Sequence, residues 1–299
     1  MLKSFIKAAR LRTLPLSISG IIVGSSIGVS GIKLYESPIF WLAILATIGF
    51  QVLSNYANDY GDGIKGTDAK RTGEQRMVAS GAITPKQMKF AVIITAIITF
   101  LIALTLIYIA FGLLYLKYTL IFLILGVIAI TAAIKYTVGD SAYGYSGYGD
   151  LFVFLFFGLL SVVGSFFLFT KQVDWTVFLP AFTIGMLSTG VLNLNNMRDR
   201  VEDEKVGKRT LVVKIGSEFA KYYHYYLIVG SLLFSLLYTS INFNNPFQFL
   251  FLIAYVPLFI HMYIVYKNNE ESNLDGQLKV VALSTFLFSI LFATGQLIS

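Results

Sequence analysis

NYANDYGDGIKGTD, from Asn55 to Asp68, runs directly into the basic residues Lys70, Arg71 and Arg76, and a similar arrangement recurs downstream. The second stretch, NLNNMRDRVEDE from Asn193 to Glu204, leads into Lys205, Lys208 and Arg209. Each sits where a long apolar segment ends. Carboxylates at the rim of a bilayer lose hydration and repel one another, so a counter-charge has to come with them. A divalent metal is the simplest neutraliser, and the flanking cations imply that the metal brings an anionic ligand. Together they point to an intramembrane enzyme acting on a diphosphate.

The rest of the chain agrees with a membrane setting. Of 299 residues, 56% are hydrophobic and only 13% charged, with a mean hydropathy of +0.73. That is too apolar for an ordinary soluble domain. Nine apolar segments approach the length needed to cross a bilayer, at about 14–32, 38–58, 87–110, 115–134, 148–170, 175–195, 219–241, 246–266 and 278–298. With the N-terminus in the cytoplasm, all but Lys33, Lys117 and Lys171 of the 23 Lys and Arg fall on the cytoplasmic side. The charge of +7 thus reads as topogenic rather than as a nucleic-acid footprint. The segment Met1 to Arg12 reads as a basic lead-in to the first span, not as a cleaved signal. Absence of Cys removes thiolate chemistry, and two histidines, His224 and His261, are too few for a His-based zinc site.

The predicted fold is all-α and polytopic, with about nine transmembrane helices around a central cavity. Residues 1–299 form a single integral-membrane domain, with pseudo-repeat halves of about 1–134 and 135–299. Both acidic clusters close spans four helices apart, so both face the cytoplasm.

Helical spacing orders the clusters. Asn195, Asp199 and Asp203 fall at i, i+4 and i+8, and Asn55, Asn58, Asp59 and Asp62 share another face. Gly61, Gly63 and Gly66 then predict that the first helix unravels, so that Asp68 reaches the site from a loop. Oxygen-rich stripes of this kind suit Mg²⁺ completed by water and phosphate oxygens, and not zinc. The isolated acids Glu74, Glu218, Glu270, Glu271 and Asp275 read as solvated loop residues. An ion-coupled transporter also places acids in membranes, but it favours the midplane, whereas these lie on one side.

The runs Asn55 to Pro85 and Asn193 to Gly216 resemble the UbiA superfamily of intramembrane aromatic prenyltransferases, as do Arg10 to Pro15 and Lys135-Tyr136-Thr137. Within it, NDYGDGIKGTD is most similar to the 1,4-dihydroxy-2-naphthoate branch of menaquinone synthesis. The family's first motif, NDxxDxxxD, matches Asn58, Asp59 and Asp62, but its last position falls on Gly66, leaving Asp68 to stand in. The second, DxxxD, is met by Asp199 and Asp203. The resemblance implies transfer of a polyprenyl chain from its diphosphate to the naphthoate with loss of CO₂ and diphosphate. Other aromatic acceptors, such as 4-hydroxybenzoate, haem or homogentisate, are the alternative.

It further implies two Mg²⁺ ions held by Asn58, Asp59, Asp62, Asp68, Asp199 and Asp203, the acids other than Asp59 being catalytic. Lys70, Arg71, Arg76 and Arg209 are expected on the diphosphate. Asn58, Asn195, Tyr136, Tyr148, Asp150, Lys135 and Arg12 are expected around the substrates, with Tyr145 a further aromatic at the same helix ends. Partners are then polyprenyl diphosphate, the naphthoate and membrane lipid, with no nucleic acid. The expected location is the cytoplasmic membrane, active face inward.

Overall fold

The computed structural model describes residues 1–66, 76–139, 142–268 and 270–298, without the side chains of 271 and 272. Among the described residues the chain is helical and has nine segments long and apolar enough to span a bilayer. A short amphipathic helix, α1 (Leu2–Ala9), leads through one 3₁₀ turn into α2 (Leu14–Gly28). There follow α3 (Pro38–Lys65), α4 (Pro85–Phe111), α5 (Leu116–Lys135), α6 (Gly149–Thr170), α7 (Phe178–Lys205), α8 (Leu211–Ile241), α9 (Pro246–Lys267) and α10 (Asp275–Ile298). Successive spans run in opposite directions, so α3 and α7 end on the same side of the bundle, hereafter the acidic end. A multi-pass membrane protein results, its outer surface lined by exposed Ile97, Ile98, Leu101 and Leu114.

Two helix ends differ from the hydropathy reading. α7 continues to Lys205, ten residues past its apolar stretch, with Asn196, Arg198, Asp199 and Asp203 buried by neighbours and Glu204 and Lys205 exposed. α3 does not unravel at Gly61. A Cβ at Gly61 would stand 2.8 Å from the Thr137 carbonyl oxygen, and one at Gly63 would meet the Val78 side chain. These glycines permit close packing inside the helix. Only Gly66, at φ 72°, ends it, in the left-handed cap that glycine adopts without steric cost. α4 starts on a capping box in which Thr84 and Gln87 exchange backbone N–H bonds, with Pro85 in the first turn.

α7 is the central helix, with 72% of its most apolar window buried, whereas α5 buries only Ala132. Val23, Ile184, Leu187, Phe288 and Phe292 pack the interior around α7. Lipid is as apolar as these side chains, so close contact rather than escape from water holds the helices together. Gly20, Gly24 and Gly28, four residues apart on α2, face Ser161, the Val162 carbonyl and Phe166 of α6, where a side chain would separate the two backbones. The facing part of α6, Phe154–Val163, is a π-helix, wider than an α-helix.

Candidate active site

The last turns of α3 divide four polar residues between two tasks. Asn55 Nδ2 donates to the Ala9 carbonyl at 2.8 Å and to Thr13 Oγ1 at 3.2 Å, docking the N-terminal segment. Asp59 accepts the backbone N–H groups of Met77 and Val78 at 3.0 and 2.8 Å, one on each carboxylate oxygen. Both oxygens of Asp59, which was expected to ligate metal, thus anchor the segment after α3. Asn58 and Asp62 face the site. Asn58 Oδ1 accepts from Thr137 Oγ1 at 3.1 Å, and Asp62 accepts from Tyr145 Oη at 2.6 Å and from Arg76 Nη2 at 3.3 Å.

α7 divides its polar residues in the same way. Asn193 turns toward α8 and donates to the Ala220 carbonyl at 3.1 Å. Asp199 receives Arg198 Nε at 2.7 Å and Nη2 at 2.9 Å, and Asn195 Oδ1 also accepts Nη2 at 2.9 Å. Asp203 pairs with Lys208 at 3.3 Å. Asp62, Asp199 and Asp203 are all buried, and each has a basic partner, as a desolvated carboxylate requires.

Tyr145 joins the two helix ends. Its hydroxyl reaches Asp62, its carbonyl accepts the Arg209 N–H at 2.9 Å, and its ring lies under Lys65 at 4.2 Å and Lys208 at 5.8 Å. Lys208 is the partner of Asp203, so both acidic stripes meet on one aromatic ring.

Beneath them opens an apolar cavity of about 380 Å³ between α2, α3, α4, α5 and α6. Asn58, Asn55 and Tyr136 line it at the acidic end, and Ile107, Phe122 and Leu168 at the other. Along α3 its wall runs from Asn58 to Ala43, about 22 Å at the helical rise. At the mouth, Tyr136 meets Tyr143 edge-on at 5.3 Å, and Tyr143 stacks on Phe152 at 4.0 Å. Burial, reinforced by the nearby Asp150 charge, pushes the Tyr136 phenol above its ordinary pKa, and burial does the same to Tyr143, so both rings stay neutral.

Asp150, buried in the first turn of α6, lies near Tyr223, and among the described residues its Oδ1 finds no hydrogen-bond partner. Other expected site residues lie outside this centre. Lys135 is exposed in the last turn of α5, where a cation meets the helix carbonyls; Tyr148 is 58% exposed at the start of α6. Arg12 and Arg209 are exposed as well, Arg209 touching the centre through its backbone. Asp68, Lys70 and Arg71 lie outside the described residues.

The sequence assigned no role to Arg198 or Tyr223, and it offered Thr137 only within the Lys135-Tyr136-Thr137 resemblance. An arginine directly beside an acid on a buried helix was the signal for Arg198; Tyr223 has none.

The donor set fits a hard divalent cation: it is oxygen-only, buried and already balanced by positive charge at each acid. Among the described residues no three His, Asp or Glu side chains converge on one point, so water and ligand oxygens must complete the coordination. Magnesium accepts such an arrangement.

The family model described as the UbiA prenyltransferase family matches residues 17–290. The chain is 40% identical to the 1,4-dihydroxy-2-naphthoate octaprenyltransferase of Haemophilus influenzae, covering 99% of this chain and 96% of that one. Identity to the Escherichia coli K12 enzyme of the same name is 38%, with the same coverage. Among solved structures, a UbiA homologue from Archaeoglobus fulgidus bound to GPP and Mg²⁺ superposes with a TM-score of 0.67 at 13% identity, covering 97% of this chain and 99% of that one. One from Aeropyrum pernix gives 0.70 at 12% identity, covering 94% and 99%.

Proposed function

This chain belongs to the UbiA prenyltransferase family, and from that premise we propose that it transfers a polyprenyl chain from polyprenyl diphosphate to 1,4-dihydroxy-2-naphthoate, releasing CO₂ and diphosphate and forming demethylmenaquinone. The observation that carries this reading is the meeting of both acidic stripes on Tyr145, at the mouth of a long apolar cavity. Near-full-length identity to two enzymes of that name supports the naphthoate acceptor over 4-hydroxybenzoate, haem or homogentisate.

Asp62 with Asn58, and Asp199 and Asp203 with Asn195, would hold the two Mg²⁺ ions, with Asp68 joining the first set. Bound there, magnesium supplies Lewis-acid neutralisation of the diphosphate as the allylic C–O bond breaks. Arg76 and Lys208, already at the acids, stand ready to donate to the same phosphate oxygens. The tail occupies the cavity, whose apolar walls exclude water from the allylic cation. Tyr136 and Tyr143 turn neutral aromatic faces and edges to the mouth, where cation–π attraction favours developing positive charge. The acceptor's carboxylate-bearing ring carbon forms the new C–C bond, and loss of CO₂ restores the aromatic ring. Asp150, with an oxygen still open to a donor, is suited to orient an acceptor hydroxyl.

We place the protein in the cytoplasmic membrane with the acidic end inward, as the distribution of Lys and Arg favours. We also read α3 and α7 as equivalent members of a pseudo-repeat; each is 28 residues long and ends in Lys behind its Asn/Asp stripe. The test is an assay of the purified protein with radiolabelled polyprenyl diphosphate, Mg²⁺ and a panel of acceptors. Labelled product is expected with the naphthoate. Product from 4-hydroxybenzoate alone, or none from any acceptor, overturns the assignment.

A further inference from the structure

Arg198 and Asp199 are consecutive on α7, and consecutive helical residues point about 100° apart rather than toward each other. Arg198 nevertheless folds back to cover both carboxylate oxygens of Asp199, at 2.7 and 2.9 Å. Its third nitrogen, Nη1, reaches Asp275 Oδ1 at 2.5 Å, on the first residue of α10. The guanidinium is buried, with a side-chain exposure of 3%, whereas the Asp275 side chain is 55% exposed. A guanidinium lying across both oxygens of a carboxylate covers that edge, so a metal entering there displaces at least one of these bonds. A buried guanidinium released without another anion is strongly disfavoured.

We propose that Arg198 is a displaceable counter-ion for Asp199, and that Asp275 is the positioning residue that receives it when a divalent cation takes the carboxylate. The inference rests on the reading of Asp199 as a metal ligand. Asn195 Oδ1, 2.9 Å from Nη2, supplies a neutral second acceptor on the same side, so the guanidinium pivots within existing contacts. Asp275 adds the charge that Asn195 lacks, and it comes from a helix that contributes no acid to either stripe. Metal uptake on α7 is thereby linked to the seating of α10.

The experiment is a calorimetric titration of Mg²⁺ alone into the full chain in lipid nanodiscs, paired with the Mg²⁺ dependence of turnover. Asp275→Asn is expected to weaken Mg²⁺ binding roughly five-fold, the effect of a partly exposed charge pair, with kcat at saturating Mg²⁺ retained. Asp275→Glu should restore the affinity. In an Arg198→Gln background, where nothing remains to be received, Asp275→Asn should no longer change it. Unchanged Mg²⁺ affinity in Asp275→Asn, or an equal loss with and without Arg198, overturns the proposal. Asp199→Asn in the same titration separates the two levels: if it does not affect Mg²⁺ binding, the metal-ligand reading itself fails. If it does and Asp275→Asn does not, only the counter-ion exchange fails.

Discussion

Tyr145 donates its hydroxyl to Asp62 Oδ1 at 2.6 Å, and through this bond a residue of the α5–α6 connection fixes an acid of α3. Hydrogen bonds to charged groups contribute about 1.5–3 kcal/mol. Tyr145→Phe keeps the ring under Lys65 and Lys208 and removes only that bond. Steady-state kinetics should show kcat/KM reduced by about ten-fold or more. Retention of parent kcat/KM would mean that Tyr145 acts only as packing.

Asp59 and Asp62 lie three residues apart on one helix yet should fail differently. Asp59→Ala leaves the buried N–H groups of Met77 and Val78 without their acceptor, at about 1–3 kcal/mol each. Thermal unfolding should shift markedly downward while Mg²⁺ affinity of the remaining folded protein stays near that of the parent. A selective loss of Mg²⁺ binding with stability intact would return Asp59 to the metal set.

For Asp62→Ala and Asp199→Ala the expected outcome is the opposite. Turnover should be abolished while membrane insertion and yield are preserved, as measured by fractionation and assay. Full activity in either variant would refute the two-ion scheme.

Metal removal supplies an independent check. EDTA should stop product formation, and added Mg²⁺ should restore it because the ligands are all oxygens. Better recovery with Zn²⁺ than with Mg²⁺ would contradict that donor chemistry.

The cavity wall on α5 includes the small residues Gly126 and Ala129, and a Cβ at Gly126 would meet no atom within 4 Å. Gly126→Leu therefore fills cavity space without forcing the backbone. Mass spectrometry of products should show long prenyl donors disfavoured and short ones retained. An unaltered product range would place the tail elsewhere.

Spans were legible because hydropathy over some 20 residues does not depend on knowing what each helix touches. The acidic stripes were legible for a similar reason: helical spacing puts Asp62, Asp199 and Asp203 in rows whatever surrounds them. What each polar residue does was not. Asp59 and Asp62 read alike in the sequence, and only the return of Met77 and Val78 distinguishes an anchor from a site residue. Gly61 reads as a helix breaker, yet the Thr137 carbonyl makes it a packing requirement. Asp275 reads as a solvated acid, and it is half-exposed, but its contact with Arg198 joins residues 77 apart in the chain. Partners so distant leave no local pattern.

Ala132, on the face of α5 that walls the cavity, is the one buried residue of that helix. A helix held by so little interior surface is inexpensive to displace. Hydrocarbon beyond it thus forms the outer jacket of the reaction vessel, and a long-tailed product leaving past α5 would pass into lipid rather than water. Exchanging native lipid for detergent replaces part of that vessel, so release should be slowed or hastened by the surrounding amphiphile even when every side chain is untouched.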